Sequence, residues 1–338
     1  MKAIALRQYL PSSEPNSLLD VELPAPTPGP RDLVVHVRAV SVNPVDVKVR
    51  APKPKVEPSP RVLGWDAAGV VESVGSEVTL FRPGDEVFYA GDIKRPGSNQ
   101  ERQCVDERLV GRKPTTLNFA QAAALPLTSI TAYEALFEHL RFCPQGGSKG
   151  MKLLVIGGAG GVGSIAIQLA KLASVEVIAT ASRSDSRAWV KQLGADAVID
   201  HTRDLRQELD AAGIGEVDAV AIFNDTDHHF SALPRLVRPF GRVVSIVETS
   251  KPVDLGALMS KSISFAWELM FTRSMYQTPD MIEQHKLLNR VADWIDAGQL
   301  QTTLTKTLSP ISAETMRQAH TLIESGRTIG KIAISGWR

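Results

Sequence analysis

Lys152-Leu153-Leu154-Val155-Ile156-Gly157-Gly158-Ala159-Gly160-Gly161-Val162-Gly163, followed by Ser164-Ile165-Ala166-Ile167-Gln168-Leu169-Ala170-Lys171, is the stretch around which the rest of the chain is arranged. Leu153 to Ile156 form a short apolar run rich in branched side chains, the pattern of a buried strand. The run breaks into glycines. Apolar residues then recur at Val162, Ile165, Ala166, Leu169 and Ala170, which is helical spacing. Within the break, Gly158 to Gly163 fits G-x-G-x-x-G. In that pattern Gly158 permits a tight turn, Gly160 lets the backbone approach a pyrophosphate, and Gly163 lets the helix pack on the strand. The helix start then offers unpaired N–H groups and a partial positive charge to phosphates. A glycine-rich turn alone is a weak signal, but strand, turn, helix and a second strand in that order predict a dinucleotide-binding unit.

Outward from this stretch, strands alternate with helices. Val175–Ala181 reads as a second strand, and Ser184–Leu193 as a helix ended by Gly194. Ala197–Ile199, Val217–Phe223 and Gly241–Val247 read as strands three to five, and the alternation predicts an α/β, doubly wound parallel sheet. An acidic residue roughly 20 positions after the glycines would accept a hydrogen bond from a ribose 2′-OH. This chain has Ser182-Arg183-Ser184 instead, with Arg187 one turn on. A hydroxyl and a guanidinium suit a 2′-phosphate, which a carboxylate would repel. The pattern favours NADPH over NADH.

At 338 residues the chain has room for two domains. A net charge of +1 gives no electrostatic case for nucleic acid or a membrane surface. No apolar run approaches the roughly 18 residues of a spanning helix. With Cys104 and Cys143 as the two cysteines there is no disulfide framework, and a cytoplasmic location is expected. Residues 1–125 concentrate proline, including Pro52, Pro54, Pro58 and Pro60, which excludes helix and marks loops or strand edges. Between the prolines, Leu33–Val40, Ala67–Gly75 and the segment after Arg82-Pro83-Gly84 read as strands of a small barrel or sandwich. Asn43-Pro44-Val45-Asp46 either presents an amide and a carboxylate to a cleft or closes an Asx-type turn on nearby backbone N–H groups. Trp65, read without comparison, is core packing. Phe119–His139 reads as one or two helices interrupted at Pro126.

Several of these motifs together resemble the zinc-independent quinone oxidoreductases of the medium-chain dehydrogenase/reductase superfamily. They are Ala159–Gly163 followed by Gln168–Lys171, Val42–Asp46, Gly64–Val71, Arg82–Val87 and Gly330-Lys331-Ile332. The resemblance implies a GroES-like β-barrel catalytic domain made from both chain ends, with a Rossmann domain inserted. The expected bounds are 1–125 for the first part, 126–265 for the NADPH-binding domain, and 266–338 for a substrate-cleft or interface segment and the return. It also implies a homodimer that reduces quinones or α,β-unsaturated carbonyls, so the partner expected is a small hydrophobic carbonyl or quinone. Zinc-dependent alcohol dehydrogenases of the same superfamily are the competing reading. Their ligand positions read Val42-Asn43-Pro44, Gly64-Trp65-Asp66 and Pro126-Leu127-Thr128 here, with Asp66 alone able to bind a metal, so no metal site is expected.

Carried over residue by residue, the resemblance puts Asn43, Asp46 and Thr128 beside the nicotinamide or substrate. Gly158, Gly160, Gly161 and Val162 would meet the pyrophosphate. Ser182, Arg183, Arg187 and His201 would meet the adenosine 2′-phosphate end. Asn224, Ile246 and Val247 would hold the ribose and carboxamide, and Lys331 would reach the cofactor. Trp65 would line the substrate pocket, and Phe265 and Trp267 belong to the aromatic and methionine-rich segment 262–276, which resists family analogy and would line the substrate cleft or the dimer interface, with core packing as the alternative. His228-His229 reads as exposed imidazoles in a helical turn. A third possibility, an NADPH-binding sensor with little turnover, keeps the same cofactor contacts.

Overall fold

The computed structural model describes residues 1–144 and 146–337. Two compact units divide the chain, one made of Met1–Leu127 with the chain from Phe271 onward, the other of Thr128–Met270. These bounds lie two and five residues from those expected at 125 and 265.

In the first unit, β1 (Lys2–Tyr9), β2 (Leu19–Glu22), β3 (Asp32–Val42) and β4 (Lys53–Val62) are followed by β5 (Ala67–Val74), β6 (Glu86–Tyr89), β7 (Arg102–Asp106) and β8 (Val110–Arg112). β4 carries Pro54, Pro58 and Pro60 because it is an outer strand, bonded to β1 alone in a three-stranded sheet ordered β2-β1-β4. The longest strand, β3, is nearly all buried. It pairs antiparallel with β5, setting Val40 opposite Ala67.

The second unit holds β9 (Lys152–Ile156), β10 (Glu176–Thr180), β11 (Ala197–Ile199), β12 (Val217–Ile222), β13 (Val237–Ser245) and β14 (Ser264–Trp267), all parallel in the order β11-β10-β9-β12-β13-β14. With β9 as the first strand this is the dinucleotide-binding order. Its core packs Leu154, Ile156, Ile178, Val220 and Ile222 against Leu205, Leu209, Phe230, Leu233 and Leu236. Strands covered on both faces carry unbroken apolar runs, which is why this sheet is legible from hydrophobicity. β13 begins four residues before the expected Gly241. It runs through Pro239 and through Phe240 at φ 60°, and its register against β12 shifts between Val217 and Ala219. β14 was not foreseen as a strand and forms the outer edge of the sheet.

The chain then returns to the first unit through helices Glu283–Asp296 and Ala313–Glu324 and strands β15 (Leu304–Leu308) and β16 (Lys331–Ser335). A seven-stranded sheet results, ordered β15-β16-β3-β5-β6-β8 with β7 also on β3. β16 lies antiparallel to β3 with Ile332 opposite Val42. Residues just past the end of β3, just before β5 and at the start of β16 therefore meet at one end of the sheet.

Candidate active site

That convergence assembles Asn43 and Asp66, 23 residues apart, with Lys331, 265 residues beyond Asp66. Each is at most 3% exposed. The Lys331 ammonium donates to Asp66 Oδ2 at 2.8 Å, to Asn43 Oδ1 at 2.5 Å and to the Val42 carbonyl at 3.0 Å. Three acceptors match the three hydrogens of an ammonium. Asp66 is in turn held by Asn43 Nδ2 at 2.8 Å and, through Oδ1, by the Leu127 N–H at 2.8 Å. Asn43 N–H donates to Asp46 Oδ2 at 2.7 Å, so Asp46 caps the helix Pro44–Arg50 from inside.

Burial dominates the electrostatics of this cluster. It pushes the Asp66 carboxyl above its ordinary range, against the Lys331 ammonium and the donors from Leu127 and Asn43. Asp46 is pushed up to about 7, because its Asn43 hydrogen bond and Lys331 offset burial only in part and Asp66 adds like charge. Its Oδ1 is buried with no hydrogen-bond partner among the described residues. An oxygen left unpaired in low dielectric disfavours the anion, so Asp46 holds its proton well above the ordinary carboxylate range.

These are the segments expected to supply ligands in a zinc enzyme, and their donor set does not fit the metal. An ammonium contacts the carboxylate, Trp65 supplies an indole, and Leu127 supplies an N–H, which donates rather than coordinates. Among the described residues no group of three or more His, Cys, Asp and Glu is placed to hold a metal ion.

In the second unit the glycine turn sits at the end of β9. Gly157, not Gly158, takes the left-handed conformation, φ 84°, and its N–H donates to Thr180 Oγ1 at 3.1 Å. The turn therefore depends on the residue before the motif, a correction to the expected role of Gly158. A Cβ at Gly158 would press on Ala179 at 3.0 Å, so this glycine serves packing. At Gly163 a Cβ would lie 2.3 Å from the Gly157 oxygen, as close helix–strand contact requires. At Gly160 the nearest atom to such a Cβ is 3.5 Å away. The protein leaves that space open, and Gly160, Gly161 and Val162 are half-exposed at the start of the helix Gly161–Leu172. An open cradle at a helix start fits a pyrophosphate.

The remaining expected site residues divide by unit and by surroundings. Trp65 is 1% exposed and meets Phe271 edge-on at 6.1 Å, so it packs in the interior of the first unit. Lys331 donates to its three acceptors within the first unit. Thr128 is buried at the first position of the second unit. Arg187 donates to the carbonyls of Ala181 and Val198, both at 3.0 Å, tying together the ends of β10 and β11. Half-exposed Ser182 and Arg183 lie beside it, with Arg183 Nε 3.3 Å from Asp185. Asn224 Oδ1 accepts from Asp225 N–H, and the Ile246 N–H donates to Ile222. The Val247 carbonyl accepts from buried Thr226. Phe265 packs on the sheet core against Phe230, while Trp267 is exposed. His229 is buried, contrary to the exposed pair expected. Sequence reasoning missed the bond between Asp66 and Lys331. A lysine opening the apolar strand Lys331-Ile332-Ala333-Ile334 was the signal, since a buried ammonium demands a partner.

Comparison with known proteins gives the family. The family model described as "Alcohol dehydrogenase GroES-like domain" matches residues 29–132, and "Zinc-binding dehydrogenase" matches residues 193–334. The chain is 41% identical over 337 residues to a zinc-type alcohol dehydrogenase-like protein of Staphylococcus epidermidis, covering 99% of each. It is 33% identical over 313 residues to 2-methylene-furan-3-one reductase of Solanum lycopersicum, covering 89% of this chain and 71% of the other. Among solved structures, a Rhizobium etli CFN 42 protein provisionally named a zinc-dependent alcohol dehydrogenase is 50% identical with TM-score 0.95, covering 100% and 98%. The quinone oxidoreductase from Coxiella burnetii is 27% identical with TM-score 0.81, covering 99% of each. A GroES-like part made from both chain ends, an inserted parallel sheet in dinucleotide-binding order and matches along the whole length show that this chain is an oxidoreductase of the medium-chain dehydrogenase/reductase superfamily.

Proposed function

We propose that this protein is an NADPH-dependent, zinc-independent reductase of quinones or α,β-unsaturated carbonyls. The observation that carries the reading is the buried ion pair of Lys331 and Asp66, 2.8 Å apart, which joins the segments where zinc enzymes have ligands. An alcohol dehydrogenase lacking a Lewis acid would have nothing to polarise its alcohol. An enone or quinone needs less, because its reduced anion is already stabilised by conjugation.

NADPH, when bound, supplies the hydride. The chain's part is position and electrostatics. Gly160, Gly161 and Val162 cradle the pyrophosphate, while Ser182 and Arg183 face the adenosine end. Asn43 Nδ2 carries two hydrogens, of which one goes to Asp66, leaving the other for an anionic substrate oxygen. The outer strand β14 exposes Trp267 and, just beyond it, Leu269, a surface suited to a second copy of the chain.

The test is NADPH and NADH oxidation against quinones, alkenals, cyclic enones and simple aldehydes, with and without a chelator. Reduction of quinones or enones, preferring NADPH and indifferent to chelator, is expected. Activity restricted to simple aldehydes and abolished by chelator would overturn the reading. Tight NADPH binding with no turnover on any acceptor would favour the sensor.

A further inference from the structure

Because the strands of the second unit are all parallel, the segments after β10, β11 and β12 emerge at the same edge of the sheet. The first carries Arg183, the second His201, and the third His228 and His229. These groups are close enough to act on one another. Arg183 and His228 both disfavour a charge on His201, and His201 and His228 both disfavour one on His229. The His228 and His229 rings meet edge-on, 4.6 Å between centroids. His201 is half-buried, and its Nδ1 is a buried atom with no hydrogen-bond partner among the described residues.

The acidic groups nearby are already engaged. Asp200 accepts from the N–H and hydroxyl of Thr202 at 2.9 and 2.8 Å, Asp225 from the His228 N–H at 3.0 Å, and Asp185 faces Arg183. Asp200 and Asp225 favour charge on His201 and His229 respectively. What stands out is three basic side chains of different origin and an unpaired ring nitrogen, at the edge where a dinucleotide's adenosine would lie.

Resting on the NADPH reading above, we propose that Arg183, His201 and His228 form a site for the ribose 2′-phosphate that is proton-linked through His201, whose imidazole takes up a proton as NADPH binds. His228 is then a determinant of cofactor choice, although it follows the fourth strand of the sheet rather than the second. In the free protein burial and the positive neighbours hold His201 below its ordinary value, so it is neutral at pH 7. A phosphate monoester brings close to two negative charges and ready acceptors. Beside it the imidazolium is favoured, and the histidine pKa rises on binding. The sign follows: the added affinity is present at low pH and is lost as pH rises through the pKa in the complex. NADH has no 2′-phosphate and gains nothing from the protonation.

The test is calorimetric titration of the whole protein with NADPH and with NADH in buffers of different ionisation heat. The range is about pH 6.5 to 8.5, above the phosphate's own second pKa of about 6. Net proton uptake should accompany NADPH and not NADH. The ratio of NADPH to NADH affinity should fall with rising pH, by up to about tenfold per unit for each proton coupled. His201→Gln should flatten that fall and His228→Gln should lower the NADPH to NADH affinity ratio, with NADH affinity retained in both as the control for folding. NADPH binding more tightly than NADH by a ratio that is flat with pH, with equal proton uptake, would overturn the proton-linked site and leave the cofactor reading standing. NADPH binding no tighter than NADH at any pH would overturn both.

Discussion

Lys331 carries the consequence of greatest reach at the scale of single residues. Its ammonium is 3% exposed and Asp66 is fully buried, so each is tolerable only because the other is present. Lys331→Met would leave the carboxylate without its counter-charge and should destabilise the protein by about 3–5 kcal/mol in urea unfolding. Joining it with Asp66→Asn should recover much of that loss, because the second change removes the stranded charge and keeps an oxygen to accept from the Leu127 N–H. A single Lys331→Met costing under about 1 kcal/mol would contradict the pairing. Sequence showed that zinc ligands are missing at these positions. It did not show what replaces them, because Asn43, Asp66 and Lys331 meet only through the pairing of β3 with β5 and β16.

Among the elements, the turn between β9 and the helix Gly161–Leu172 separates two glycine roles that look alike in sequence. Gly163→Ala would drive a methyl to 2.3 Å from the Gly157 carbonyl and push the helix off the strand. It should lower stability by about 1–3 kcal/mol, seen as a lower Tm, and weaken the dinucleotide with it. Gly160→Ala meets nothing nearer than 3.5 Å and should leave Tm within a degree or two, yet fill the space a pyrophosphate needs. Its expected signature is a weaker NADPH Kd by fluorescence on an unshifted melt. Equal effects of both changes on Tm would sink the distinction. The parallel strands were legible from their apolar runs, and Gly194 ends its helix at φ 103° as a C-terminal glycine does. β14 was not legible, because its residues Ser264-Phe265-Ala266-Trp267 are strand-like only beside β13, and alone they read as an aromatic patch.

For the molecule as a whole, the exposed outer strand β14 argues for self-association. Trp267 is 48% and Leu269 51% exposed, a combination of bare strand edge and apolar side chains that invites a partner strand. Sedimentation should therefore give twice the 36.6 kDa chain mass, and Trp267→Glu should shift the protein toward the monomer with NADPH binding retained. A wild-type monomer at working concentrations would refute it. The sequence by itself determined the architecture: periodic apolar runs, glycine spacing and proline density are local properties, and they specify a dinucleotide-binding sheet after a β-rich segment, while its insertion between the two chain ends was implied by the family resemblance. Tertiary structure alone decided the chemistry of the site. A buried charge is defined by its neighbours, and the neighbours of Lys331, Asp46 and His201 come from strands and loops that only the folded sheets bring together.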